Sequence, residues 1–453
     1  METQSNSMAT KKIPSLIRTL ALPSIVAQIV NILYNIVDRM YVGHMPGDGA
    51  IALTALGVCA PLLLLVSAFA MLIGGGGAPL AAMALGRGNP DDAQKNMGIA
   101  FATLTLLGLV LTVVGLFFLE PLLWLFGASP ETLPYALDYG STYLFGTIFV
   151  MYSIGLNLFI SSQGKAKTAM LTVLIGAVTN IILDPIFIYG FHMGVRGAAL
   201  ATVISQALSA LFVVRFLSSE KSLLRIRKKD IRIDTKRLGM ILALGVSPFI
   251  INSTESAIQI AFNNRLLFYG GNMYVGAITI LQSLMQLIII PLGGYTSGVQ
   301  PLVSFSYGAK RYDRILETLK ISLIVLTSAS MLYYALIFFF PGVFARIFTT
   351  DPTLLRLVKE LLPVFMLGTS IFSVQMCAQM LYIGTGQARV SLFIAILRKV
   401  ILLIPFMFLL PLFFGVNGVI YAEPVADILS VCVSGTLLFI GIRNLKAGRE
   451  VFG

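Results

Sequence analysis

Long apolar runs, separated by short polar segments, set the pattern of this chain. Twelve such runs stand out, at about 16–42, 52–84, 93–119, 132–161, 168–190, 196–218, 238–269, 273–306, 314–341, 354–383, 390–412 and 416–442. Each can cross a hydrocarbon core of about 30 Å, which takes about 20 helical residues. Backbone inside lipid must satisfy its own hydrogen bonds, so the runs are expected to be helices. The fold class predicted is all-α integral membrane, with twelve transmembrane helices in two pseudo-symmetric six-helix bundles.

Composition agrees with the pattern. The chain has 453 residues, 57% hydrophobic and only 11% charged, with a mean hydropathy of +0.89. Soluble domains of this length do not have such a balance. The first fifteen residues are polar and carry Lys11 and Lys12. They lack the apolar core and cleavage site of a signal peptide, so the first run is expected to be a retained helix. Cys59, Cys377 and Cys432 all fall in apolar runs, which supports neither disulfides nor zinc. A net charge of +12 does not argue for nucleic acid here, because its placement matters more. The N-terminus, the even-numbered loops with their flanks and the C-tail hold 26 of the 32 Lys and Arg. The positive-inside rule then places both termini in the cytoplasm.

The two halves resemble each other. Ala78-Pro79 and Gly86 match Gln300-Pro301 and Gly308 at an offset of 222, which also relates Gly164-Lys165-Ala166-Lys167 to Gly386-Gln387-Ala388-Arg389. Gly194-Val195-Arg196-Gly197 and Gly415-Val416-Asn417-Gly418 differ by 221. Matches in one order at nearly one spacing indicate a duplicated six-helix unit. The expected organisation is an N-lobe over 1–218, a basic cytoplasmic linker over 219–237 that touches anionic lipid, and a C-lobe over 238–453. Such repeats let a transporter rock one lobe against the other around a central cavity.

The chemistry lies in polar residues inside the apolar runs. Asp184 stands in the middle of the fifth run, where a charged carboxylate costs about 2.5–3.5 kcal/mol and marks a functional site by default. Asn180 precedes it by one turn on the same face. Pro185 has no N–H for the carbonyl of Ile181, so a bend with a freed oxygen is expected. Gln28, Asn31, Asn35 and Asp38 form a polar stripe on the first helix, beside Tyr34. Asp38, Asp184 and Thr202 all come to roughly 6–10 Å below the outer boundary at 1.5 Å per residue. Asp38, Asn180, Asp184 and Thr202 can therefore converge on one proton or one small hard cation. The plain alternative has Asp38 merely pairing with Arg39.

In the seventh run Asn252, Glu255, Ser256, Gln259 and Asn263 form a similar stripe. Glu255 is the lone central acid of that half, either a second ion site, the counter-charge of a cationic substrate, or a satisfied structural group. Glu423 and Asp427 of the last run read as structural. Gln282, Gln286, Gln375 and Gln379, with Tyr34, Met285 and Met376, could line an adaptable apolar cavity. No P-loop, H-E-x-x-H or G-x-S-x-G occurs, and His44 and His192 fall in short outer loops, so no enzyme and no cofactor are expected. A membrane transferase would need an acidic loop cluster, whereas the longest loop here is basic.

The paired halves, Asn35-Ile-Val-Asp38-Arg-Met-Tyr-Val-Gly43, Asn180-Ile-Ile-Leu-Asp184-Pro185 and Gly194-Val-Arg-Gly197-Ala-Ala-Leu-Ala-Thr202 resemble the multidrug and toxic compound extrusion (MATE) family. The resemblance covers essentially the whole chain, and is nearest the DinF-like and MepA-like kinds. It implies a monomeric multidrug efflux antiporter of a bacterial or archaeal plasma membrane, exporting cationic or amphipathic compounds in exchange for H⁺ or Na⁺. It also implies that Asp38, Asn180, Asp184 and Thr202 hold the coupling ion. Glu255 matches a seventh-helix acid of the NorM-like members, but the tenth run offers Gln375 and Gln379 in place of an acid. A lipid-linked oligosaccharide flippase would share the architecture, with a cavity rich in Arg and Lys.

Overall fold

A computed structural model describes residues 8–45, 49–231, 234–349 and 351–451, apart from the side chains of Ser256 and Asn272. Ser256 of the polar stripe thus lies outside the description. The described residues form helices and short connections, without a strand.

Helices α1 to α3 are Ile13–Gly43, Gly49–Gly86 and Pro90–Phe117. The pair Leu133–Phe145 and Thr147–Ser162, bent by 58°, forms α4; Ala166–Gly190 is α5 and Gly194–Ser218 is α6. Helix α7 (Thr235–Gly271) meets α8 (Met273–Gly308) at Gly271, whose φ of 72° suits glycine. Tyr312–Phe339 is α9, Pro352–Phe365 with Ser373–Gly384 is α10, Ala388–Phe414 is α11 and Val416–Lys446 is α12. Local chemistry sets the starts: Asn89 caps α3, Asp234 caps α7 and Asp351 caps α10 through backbone N–H groups.

By length and apolarity ten of these helices can cross a membrane, or eleven with the bent α4 as one span. The expectation was twelve. Helix α10 falls short because a 3₁₀ turn at Gly368–Ser370 divides it. A Cβ on Gly368 would stand 2.4 Å from Cβ of Asp427, so the α12 acid occupies the space beside the break. Val113, Phe117, Leu211, Phe268 and Leu332 are each more than 60% exposed, which suits outward faces that meet lipid tails.

The repeats seen in sequence recur as matched backbone. Gly164 and Gly386 have φ of 79° and 77°, and Gly194 and Gly415 have 57° and 59°. Gly86 and Gly308 meet the opposite half reciprocally. A Cβ on Gly86 would come 2.0 Å from the Phe305 carbonyl oxygen, and one on Gly308 would come 2.0 Å from that of Met83. This is the self-complementary contact expected of two like units about an axis.

The halves are less separable than the expected boundaries imply. Ile13, Leu16, Ile17 and Leu20 at the start of α1 share a buried cluster with Val299, Leu302 and Leu381. The basic segment is stitched to the first half. Ser222 Oγ and the N–H groups of Leu223 and Leu224 donate to Gln163 Oε1, while Gln94 exchanges hydrogen bonds with the backbone of Arg225. Arg237 at the start of α7 reaches Asp92 of α3 at 2.5 Å. The described ends of the chain at Met8 and Val451, this segment and the Gly86–Gly308 contact lie at one end of the bundle, which we call the linker face.

Candidate ion and cargo sites

Three helices of the first half bring their polar residues together. Asn180 Nδ2 donates to Asp184 Oδ1 at 3.1 Å and lies 3.4 Å from Thr202 Oγ1. Asp38 of α1 and Asp184 of α5 lie close enough for each carboxyl group to act on the other. Asp38 is 8% exposed, Asn180 1% and Asp184 0%. Asp38 Oδ1, Asn180 Oδ1 and Asp184 Oδ2 have no hydrogen-bond partner in the protein. Buried oxygens without donors invite a proton or a hard cation. Among the described residues no group of three or more His, Cys, Asp or Glu could hold a metal, so any Na⁺ here would rest on Asn180 and Thr202 as well as the two acids. Arg39 is exposed and acts on Asp38 through its charge, without a salt bridge between them among the described residues.

Pro185 ends the α-helical part of α5, and Ile186–Gly190 continues as a wider π turn closed from Phe191 N–H to the Ile186 carbonyl. The bend expected from sequence is thus a change of winding next to Asp184, the kind of irregularity common at functional sites. Tyr34 departs from the expected cavity group. It lies close enough to Asp38 and Asp184 to feel their charge. Buried Tyr139 also interacts with Asp38, and Tyr143 with Tyr34. Neither Tyr139 nor Tyr143 was legible as a site residue, because aromatic residues in an apolar run read as packing. Asn31 and Asn35 are exposed on the same helix, and Asn35 Nδ2 donates to the Asn31 carbonyl at 2.6 Å.

The second half holds a charge cluster that the reading by loops misplaced. Arg398 and Lys399 counted as flanks of a linker-side loop, yet both are buried in α11, at 9% and 7% exposure. They lie ten and eleven residues into α11, or roughly 15 Å at 1.5 Å per residue. Arg398 Nε bonds Asp427 Oδ1 at 2.5 Å and its NH2 bonds Glu423 Oε1 at 2.7 Å. Lys399 Nζ bonds Glu255, which is therefore not a lone acid. Glu423 and Asp427, read as structural, are the Arg398 partners. Basic residues deep in an apolar run were the available signal, since burial requires them to find acids.

The four glutamines divide. Gln282 and Gln286 join Glu255, Gln259, Met285, Arg398 and Lys399 around one small pocket of about 30 Å³. Gln375 instead accepts from Ser430 Oγ at 2.7 Å, and Gln379 Nε2 donates to Ser247 Oγ and the Ser391 carbonyl. The latter two tie α10 to its neighbours and do not line the pocket. A second pocket, between the halves, is lined by Ala78-Pro79 and Gln300-Pro301, the residues of the first sequence repeat.

Two helical halves in contact through matched glycines, with ionisable residues buried inside each, define a membrane transport protein of the two-lobed kind. The MatE family model matches residues 23–186 and 235–409, and the chain belongs to that family. It is similar to the multidrug export protein MepA of Staphylococcus haemolyticus (strain JCSC1435), 26% identical over 94% of this chain and 92% of that protein. MepA of Staphylococcus aureus (strain NCTC 8325 / PS 47) is 24% identical over 93% and 92%. Among solved structures, a multidrug resistance MATE family transporter of the MOP superfamily in an outward-facing conformation superposes with a TM-score of 0.90 at 22% identity, covering 99% of this chain and 100% of that one. A MATE structure in the bent conformation gives 0.92 at 23%, covering 99% of each. These likenesses bear on the fold.

Proposed function

We propose that the protein is a secondary multidrug efflux antiporter that exports cationic or amphipathic compounds in exchange for H⁺ or Na⁺. The observation that carries the reading is the buried pair of neighbouring carboxyl groups, Asp38 and Asp184, with Asp184 bonded to Asn180 beside Thr202. A proton or Na⁺ taken up there neutralises the first half, and its release restores a negative charge that attracts cationic cargo. The π turn after Pro185 transmits that change along α5. Both termini face the cytoplasm, and the inward gradient drives exchange. One charge moved across 100 mV supplies about 2.3 kcal/mol, enough for more than a tenfold concentration ratio.

The MepA relatives are named for multidrug export, which agrees with this reading. A lipid-linked oligosaccharide flippase fits less well, because the buried Arg398 and Lys399 are already neutralised by carboxylates. The test is ethidium-evoked proton release in vesicles, with and without Na⁺. Asp38→Asn and Asp184→Asn are each expected to abolish exchange while the protein remains folded in the membrane. Wild-type exchange in both variants would overturn the assignment.

A further inference from the structure

In the second half three carboxylates face two fixed cations, and only one of the pairs is open. Arg398 is clasped by Asp427 and Glu423, with side chains 10%, 1% and 5% exposed. The Lys399 side chain is 9% exposed, but Glu255 is 49% exposed. The Lys399 ammonium also donates to the Ile251 carbonyl at 2.8 Å, so α7 holds it at two points. Gln259, Gln282, Gln286 and Met285 line the same small pocket as Glu255, so an organic cation that reaches Glu255 meets amides and a flexible thioether that can give way to it.

The winding of α11 explains how two adjacent residues both point inward. Successive side chains of an α-helix fan apart, but Leu397–Leu403 is a π segment, whose wider turn brings neighbours closer to one face. At the offset of 222 the first half has Gly176 and Ala177 in place of Arg398 and Lys399. At the offset of 221, which relates Gly194 to Gly415, Thr202 corresponds to Glu423. The second half therefore carries two buried cations at positions where the first half has only small apolar residues.

We infer that Lys399 is a tethered cation that occupies Glu255 until cationic cargo displaces it, while Arg398 keeps Glu423 and Asp427 out of the competition. The inference rests on the efflux reading above. Lys399 then sets cargo selectivity: a monocation reaches Glu255 only by out-competing an ammonium already bound there. The tethered group also prevents the second half from being left with an uncompensated charge when it is empty.

The experiment is equilibrium binding of tetraphenylphosphonium to the purified full-length protein in nanodiscs. If the ammonium occupies Glu255 for 90% or more of the time, Lys399→Gln tightens binding by about tenfold or more. Lys399→Arg, which keeps the competitor, stays near wild type, and adding Glu255→Gln to Lys399→Gln erases the gain. Unchanged or weaker binding by Lys399→Gln, in a protein that melts like wild type, overturns the inference. If that variant does not fold, Lys399→Met, which retains the apolar stem, carries the same test. Failure of both to fold makes Lys399 a structural partner and overturns it as well. Absence of binding in wild type and variant alike also overturns it. The efflux reading falls separately, on loss of ethidium-evoked proton release from wild-type vesicles.

Discussion

Asp184 was legible as a candidate because no lipid-facing position tolerates a carboxylate without compensation. Its connection to Asn180 followed from one helical turn of spacing. Its closeness to Asp38 depends on how α1 packs against α5, which depth alone made feasible. Arg398 shows the opposite outcome, since a tally of charges by loop assigned it to the surface. Removing one member of a buried, paired cluster typically costs about 3–5 kcal/mol. Arg398→Leu is expected to lower thermal stability in detergent by an amount of that order. Combining it with Glu423→Gln and Asp427→Asn should recover most of the loss, because the stranded charges go with it. A melting curve of the triple variant no better than that of Arg398→Leu would show that packing, not charge, dominates at this position.

Helices α4, α5, α10 and α11 all depart from regular winding, and the departure in α5 is the one expected from sequence. Pro185 removes an N–H, whereas the π turns in α4 and α11 and the 3₁₀ turn in α10 contain no proline. Pro185→Ala restores the missing donor and favours continuous α-helix past Asp184. The expected result is severalfold slower ethidium–proton exchange with little change in ethidium binding, measured by vesicle flux and equilibrium titration respectively. Equal flux would show that the change of winding plays no part in the cycle. Gly308→Val tests the contact between halves, since even a Cβ would stand 2.0 Å from the Met83 carbonyl oxygen. Loss of the paired contact should shift the halves apart at the linker face, read as a longer spin-label distance between positions 88 and 310.

At the scale of the molecule, closure at the linker face combines backbone contact through glycines with one ion pair, Arg237 to Asp92. Both side chains are about a quarter exposed, so the pair contributes about 0.2–1 kcal/mol. Arg237→Ala should therefore change the ratio of closed to open molecules by no more than about fivefold, a shift visible as populations in the same spin-label measurement. A complete opening would mean that the ion pair, and not the glycine contact, holds this face. The sequence repeat foretold that two like units would meet. It did not foretell that α1 would begin in the core of the opposite half, so a clean division at residue 218 overstates their independence.

Apolar length, internal repetition and isolated acids are properties of the chain itself, and they determined a membrane-embedded pair of helical units with Asp38 and Asp184 as the residues of interest. Partnership was left to tertiary structure. Which acid meets which base, where α11 widens and which glutamines face the pocket all depend on contacts between helices far apart in sequence. Spacing along one helix constrains only the residues that share its face.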